Sequence, residues 1–99
     1  MNIPSKFTLF GSTYAVEFVE SLRETDGVEA QHSYRQKLIR LHPEGPGHTR
    51  DAVEHAFCHE LTHAILVQMG EQDLNSNERF VDVFGGLLHQ ALKTAEPMT

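Results

Sequence analysis

Hydrophobic and polar positions divide the chain into two halves of different period. Phe7 and Leu9, then Tyr14, Val16 and Phe18, alternate with polar residues at period two, the spacing of half-buried strands. Gly11-Ser12 between them is a turn signal, so residues 6–20 are expected to form a hairpin. Ser21 to Asp26 is polar, a loop or a short helical turn closed by Gly27, and Tyr34, Ile39 and Leu41 suggest a third strand within residues 33–41. HPEGPGH, residues 42–48, holds two prolines and two glycines and reads as a loop.

From Thr49 the period becomes helical. Val53, Ala56, Phe57, Leu61, Ala64 and Ile65 recur at three- and four-residue spacing, with Thr49 as N-cap, Asp51 in the first turn and Gly70 as the stop, predicting one helix over residues 50–69. After the polar run EQDLNSN, Ser76 or Asn77 can cap a second helix with an apolar stripe of Val81, Phe84, Leu88, Ala91 and Leu92 and with Pro97 beyond its end. Gly85-Gly86 weakens that helix by about 1 kcal/mol per residue relative to Ala, and suits a close contact with a helix or sheet. Strands first and helices after make a single α+β domain over residues 1–99, a small antiparallel sheet of about three strands followed by two packed helices. Tyr14, Phe18, Phe57, Phe80 and Phe84 are spaced as core.

Composition narrows the function classes. A net charge of −6 with no dense basic cluster argues against nucleic-acid binding. No apolar run approaches the ~18 residues of a membrane span, and MNIPSKFTLFG lacks the form of a signal peptide. One cysteine allows no intramolecular disulfide. An intracellular protein without a membrane partner is expected. The unusual count is seven histidines, which raises the prior for metal binding.

Residues 59–63 read HELTH, an H-E-x-x-H pattern inside the stronger predicted helix. Residues i and i+4 share one helix face, so His59 and His63 can each offer a nitrogen to one zinc ion. Glu60, about 100° further round, is displaced from the ligand direction but can reach a water beside the metal and act as general base. A catalytic zinc needs a third protein ligand and an open position. Glu78, bordering the apolar stripe of the second helix, is the favoured ligand. Asp82, one turn later, is its rival or a carboxylate that steadies a ligand histidine. His55 continues the row of His59 and His63, but three such residues span ~12 Å and cannot all wrap one ion. His89 is a weaker ligand candidate, and His32, His42 and His48 are expected at the surface. Cys58 reads as a buried inert thiol rather than a switch on the metal.

HELTH with Glu78 resembles the gluzincin-type zinc metallopeptidases. HELTHAIL, Glu78-Arg79-Phe80-Val81-Asp82 opening the last helix, the N-terminal strand pair and a third strand near Gln36-Lys37-Leu38-Ile39 are similar to very small phage and prophage zincin-like proteins and to the minimal core of the ImmA/IrrE and SprT-like groups. The resemblance implies Zn2+ held by His59, His63 and Glu78, with Glu60 as general base. It also implies a peptide or protein substrate lying in extended form along an edge strand, the third one, and a cytoplasmic setting in a bacterial or phage-infected cell. It leaves the oxyanion donor unassigned, with Tyr34 and His89 as candidates. Two readings follow: a minimal zinc peptidase, or a non-catalytic, zinc-stabilised protein-binding module on the same scaffold.

Overall fold

The computed structural model describes residues 1–98. Strands β1 (Lys6–Leu9) and β2 (Ser12–Phe18) form the expected hairpin, and α1 (Leu22–Asp26) is the short helical alternative for the polar segment, stopped by Gly27 at φ 68°. Strands β3 (Ala30–Ser33) and β4 (Leu38–Leu41) follow, then the long helix α2 (Arg50–Met69), one helical turn α3 (Gln72–Asn75) and α4 (Glu78–Thr94). The architecture is α+β, as the change of period predicts.

Two features of the sheet differ from the expected three antiparallel strands. Residues 33–41 are not one strand. Ser33 Oγ accepts from Gln36 N–H at 3.2 Å, Tyr34 C=O accepts from Lys37 N–H at 3.2 Å, and Lys37 takes φ 52°, so this polar run turns the chain back. It joins β3, which lacks an apolar alternation, to β4. The strand order is β1-β2-β4-β3, with β2 and β4 parallel and the other two pairs antiparallel. The segment containing Leu38 and Ile39 is therefore interior to the sheet, and the edge beside α2 is β3.

One face of this sheet is covered by α2. Ile39 and Leu41 from β4 pack with Val53, Phe57 and Cys58 from α2, and Phe7, Val16, Ala56, Leu61 and Leu88 close around them. Phe7 stacks on Tyr14 at 5.1 Å and meets Phe57 edge-on at 6.1 Å. Tyr14 is fully buried, and its hydroxyl accepts from Gln68 Nε2 at 2.9 Å, which satisfies the polar tip. Both ends of α2 are specified by sequence. Thr49 Oγ1 accepts from Ala52 N–H at 3.1 Å, and Gly70 at φ 74° sends its N–H to Val67 C=O while Glu71 N–H reaches Leu66 C=O.

Helix α4 packs antiparallel on α2, and its buried face differs from the expected stripe. Val81, Gly85 and His89 are buried, whereas Phe84 is 47% exposed and Leu92 44% exposed. The reason is the glycine pair. A Cβ at Gly85 would lie 3.0 Å from His59 Cα and 3.2 Å from Cys58 O, so the helix turns its glycine, not Phe84, toward α2. Phe18 also leaves the core: it is 52% exposed and lines a shallow hollow with Pro43, Arg50 and Val53 at the end of β2. Polar ties fasten the far end of the helix pair, where His89 Nε2–H donates to Glu54 Oε1 at 2.9 Å and Lys93 pairs with Asp51. No helix among the described residues is long and apolar enough to cross a membrane.

The β1–β2 turn places Phe10 at φ 47° and Gly11 at φ 80°, with Phe10 86% exposed. A left-handed conformation suits Asn far better than Phe, and Phe10 has little burial to lose. Phe10→Asn should stabilise the fold by about 0.5–1 kcal/mol, read as a rise of several degrees in the thermal midpoint. An unchanged or lowered midpoint would contradict this account of the turn.

Acid stability depends on the tie at Glu54. The hydrogen bond from His89, aided by Arg50 and by the amino group of Met1, holds the Glu54 carboxyl below the usual carboxylate range against the opposing effect of burial. A depressed folded-state value means that the ionised form favours folding, so this contribution is present above the ordinary carboxylate range and is lost as pH falls through the lower folded value. Glu54→Gln should lower stability at neutral pH and flatten its decline in that acidic window, as measured by urea unfolding at stepped pH.

Candidate metal centre

The helix pair brings the sequence-predicted residues together at one end. His59 and His63 lie one turn apart on α2, and Glu78 opens α4 directly after its N-cap, Asn77, whose side chain accepts from Phe80 N–H at 3.0 Å. One ligand atom from each of His59, His63 and Glu78 falls within 4.8 Å of the others. His59 Nε2 is 3.4 Å from Glu78 Oε2, and His63 Nε2 is 3.3 Å from Glu78 Oε1. Charge-assisted hydrogen bonds are shorter, at ~2.7–2.9 Å. Ligands bound to a tetrahedral zinc at ~2.0–2.1 Å stand about 3.3 Å apart, close to each of these two histidine–carboxylate distances.

One imidazole has a hydrogen-bond partner for its other nitrogen, and the second has a carboxylate nearby. His63 Nδ1–H donates to Asn75 Oδ1 at 2.7 Å, which leaves the lone pair on Nε2, facing Glu78. His59 Nδ1 is 3.5 Å from Asp82 Oδ1. Of the two acids left open by the sequence, Glu78 sits at the Nε2 side of both histidines, and Asp82 sits behind His59, where a carboxylate orients the ring. Asp82 Oδ1 is also 3.7 Å from His55 Nε2, so His55 borders the cluster from behind rather than joining it.

Asn75 was not singled out by sequence. It arrives through α3, the single turn that follows Gly70, and the only trace of it was the polar run EQDLNSN between the helices. His89, the weaker ligand candidate, lies away from this cluster: it is buried at the other end of the helix pair with Glu54 and Asp51. That trio, and Glu29 with His42 and His48, are two further groups that could hold a metal ion. His48, expected at the surface, is 6% exposed. His32 is half-buried, with its Nε2 enclosed and without a hydrogen-bond partner, and burial lowers its pKa.

Glu60, His59 and Asp82 line one side of an open groove of about 420 Å³, with Glu29, Ala30 and His48 among the residues opposite. Burial raises the Glu60 pKa, His59 and His63 oppose that rise, and Glu78 adds to it. A carboxylate in such a setting holds a proton more readily than one in water, which suits a group that must accept and return protons. Cys58 is fully buried behind this wall, and its thiol is pushed up to about 11, mainly by burial, the condition of an inert thiol. Neither Tyr34 nor His89 lines the groove.

No protein-family model, curated protein or solved structure matches the chain.

The two glycines of α4 make separable predictions. At Gly85 an added methyl meets helix backbone at 3.0 Å, whereas at Gly86 it meets only the tip of the His55 ring at 3.3 Å. Gly85→Ala should cost about 1–3 kcal/mol by forcing the helices apart, outweighing the ~1 kcal/mol gained in helix propensity. Gly86→Ala should be near neutral or mildly stabilising. Equal unfolding midpoints for the two variants would show that the close approach at His59 does not limit the packing.

Proposed function

We propose that this chain is a minimal zinc-dependent peptidase of gluzincin type, with zinc held by His59, His63 and Glu78 and with Glu60 as general base. The observation that carries the reading is the convergence of one ligand atom from each of the three residues within 4.8 Å, with Asn75 bonded to the second nitrogen of His63 and Asp82 near that of His59. Zinc bound there supplies a Lewis acid and brings the pKa of water at its open position toward ~7.

The chain's own residues do the rest. Glu60 takes the proton of the water that attacks the peptide carbonyl, and then delivers it to the leaving amine. Asn75 fixes the ring orientation and tautomer of His63, and Asp82 stands 3.5 Å from Nδ1 of His59, where its charge favours a proton on that nitrogen. The groove runs from Glu60 to Ala30, the first residue of β3, whose outer edge pairs with no strand. An extended peptide adds to such an edge through backbone hydrogen bonds, which positions a carbonyl without demanding a particular side chain.

One observation favours the second reading, a zinc-stabilised binding module. His89 is held by Glu54 and Asp51 away from the groove, and Tyr34 does not line it, so neither candidate oxyanion donor is offered there. On that reading the β3 edge captures a partner without cleaving it.

Metal analysis and cleavage of a library of unstructured peptides separate these cases. His59→Ala, His63→Ala and Glu78→Ala should each lower the zinc content by one ion per chain. Glu60→Gln should keep the zinc and lower cleavage by about 10²–10⁴-fold. Full cleavage by Glu60→Gln would remove Glu60 as the base, and the absence of any cleavage by the zinc-loaded wild type would favour the binding module. A wild type that takes up no zinc would overturn both.

A further inference from the structure

The second histidine cluster lies at the other side of the same groove. His42 ends the β3–β4 ladder, where its N–H donates to Glu29 C=O at 2.8 Å, so Glu29 and His42 are cross-strand neighbours. His48 is fixed by the turn that follows. Gly45 and His48 exchange both backbone hydrogen bonds at 2.9 Å, Gly47 takes φ 74°, and Pro46 stands between them. The proline-glycine pair is what a tight turn of this kind requires. Thr49 then caps α2, so His48 is held between a closed turn and the start of a 20-residue helix.

This cluster has an unmet need. His48 is more than nine-tenths buried, yet its Nε2 is enclosed and has no hydrogen-bond partner. Leaving a buried polar atom unpaired costs about 1–3 kcal/mol. The carboxylate that faces it, Glu29 Oε2, stands 3.7 Å away, too far for a hydrogen bond but near the separation of two ligands on one ion. His42 Nδ1–H donates to Pro43 C=O at 2.9 Å, which leaves the lone pair on its Nε2. The same pattern orients His63 through Asn75. Arg23 grips Glu29 through two hydrogen bonds of 2.9 and 3.0 Å, and each carboxylate oxygen keeps a lone pair beyond them. One ligand atom from each of Glu29, His42 and His48 lies within 4.8 Å of the others.

We infer that Glu29, His42 and His48 form a second divalent-cation site, of the imidazole-and-carboxylate chemistry that suits zinc, at the β3 end of the groove. Two imidazoles and one carboxylate leave one tetrahedral position open. Because Glu29 and His48 line the groove that Glu60 and His59 also line, a ligand carrying a carboxylate or carbonyl oxygen along β3 would meet that position. The site needs neither zinc at His59 and His63 nor any catalytic activity.

Zinc stoichiometry of the full chain, measured by metal mass spectrometry after dialysis against buffer containing trace zinc, tests the inference. The wild type should hold two ions per chain, His63→Ala one and His63→Ala/His42→Ala none. His42→Ala alone should hold one. Glu29→Gln changes an exposed carboxylate and keeps the test valid if replacing a histidine of the turn unfolds the chain, which circular dichroism would reveal. It should hold one ion, with the second returning only at raised zinc. The inference fails if the folded wild type holds one ion that His63→Ala loses, or if His42→Ala and Glu29→Gln both keep the full wild-type content. One ion in His63→Ala that vanishes with His42 would sustain the second site even if no peptide were cleaved.

Discussion

The close approach of α4 to α2 at Gly85 is the contact on which the rest of the site depends. Where a methyl group would press on His59 Cα at 3.0 Å, the absence of a side chain lets the helix axes draw together. With antiparallel helices in contact there, residues one and two turns toward the start of α4 face the residues that follow on α2. Asp82 thus comes beside His59, and Glu78 reaches both His59 and His63. A bulky residue at 85 would have moved Glu78 off the histidines without altering any residue of the site. The glycine costs helix propensity, but α4 is secured at its other end by His89 with Glu54 and by Lys93 with Asp51.

Much of this was legible in sequence because the signals were local. The change of period at Thr49, the caps at Thr49 and Gly70, and HELTH inside a long helix fix α2 and place two histidines on one face before any tertiary contact is known. The nearness of Glu78 to both histidines needed only an approximate phase for α4. What escaped was set by contacts between distant residues. The stripe containing Phe84 was a sound reading of hydrophobicity, but the buried phase of α4 is decided by a glycine, which carries no hydrophobic signal. Strand β3, AQHS, lies at a sheet edge and has no apolar alternation, and the turn at Tyr34–Lys37 was hidden because Tyr34 within it and Ile39 and Leu41 after it mimic the spacing of one strand. Asn75 and the burial of His48 depend on short connections whose direction no periodicity encodes.

The sheet gives the groove its second wall. Because β4 turns back to pair parallel with β2, the strand before it, β3, is left at the outside, next to α2, rather than in the middle. That order sets the open edge of β3 opposite Glu60. It also carries Glu29, immediately before β3, and His48, immediately before the cap of α2, to the groove's other side. The same arrangement of edges and helix therefore produces both histidine-carboxylate clusters.

Electrostatics explains why such a groove favours cations. Glu29, Glu60 and Asp82 face it in a chain of net charge −6, and Glu78 stands beside the histidine pair. Burial and the neighbouring Glu78 already raise the proton affinity of Glu60. A divalent ion among these groups would offset their mutual repulsion and use the Nε2 lone pairs that the hydrogen bonds at Nδ1 leave on His63 and His42. Glu78 is 70% exposed on its side chain, whereas His59 and His63 are mostly covered, so two ligands are fixed by packing and the third is held chiefly by the cap of α4. An ion bound across that junction would link the start of α4 to the middle of α2. In a domain with so small a core, metal affinity and the stability of the helix pair are then the same free energy measured in two ways.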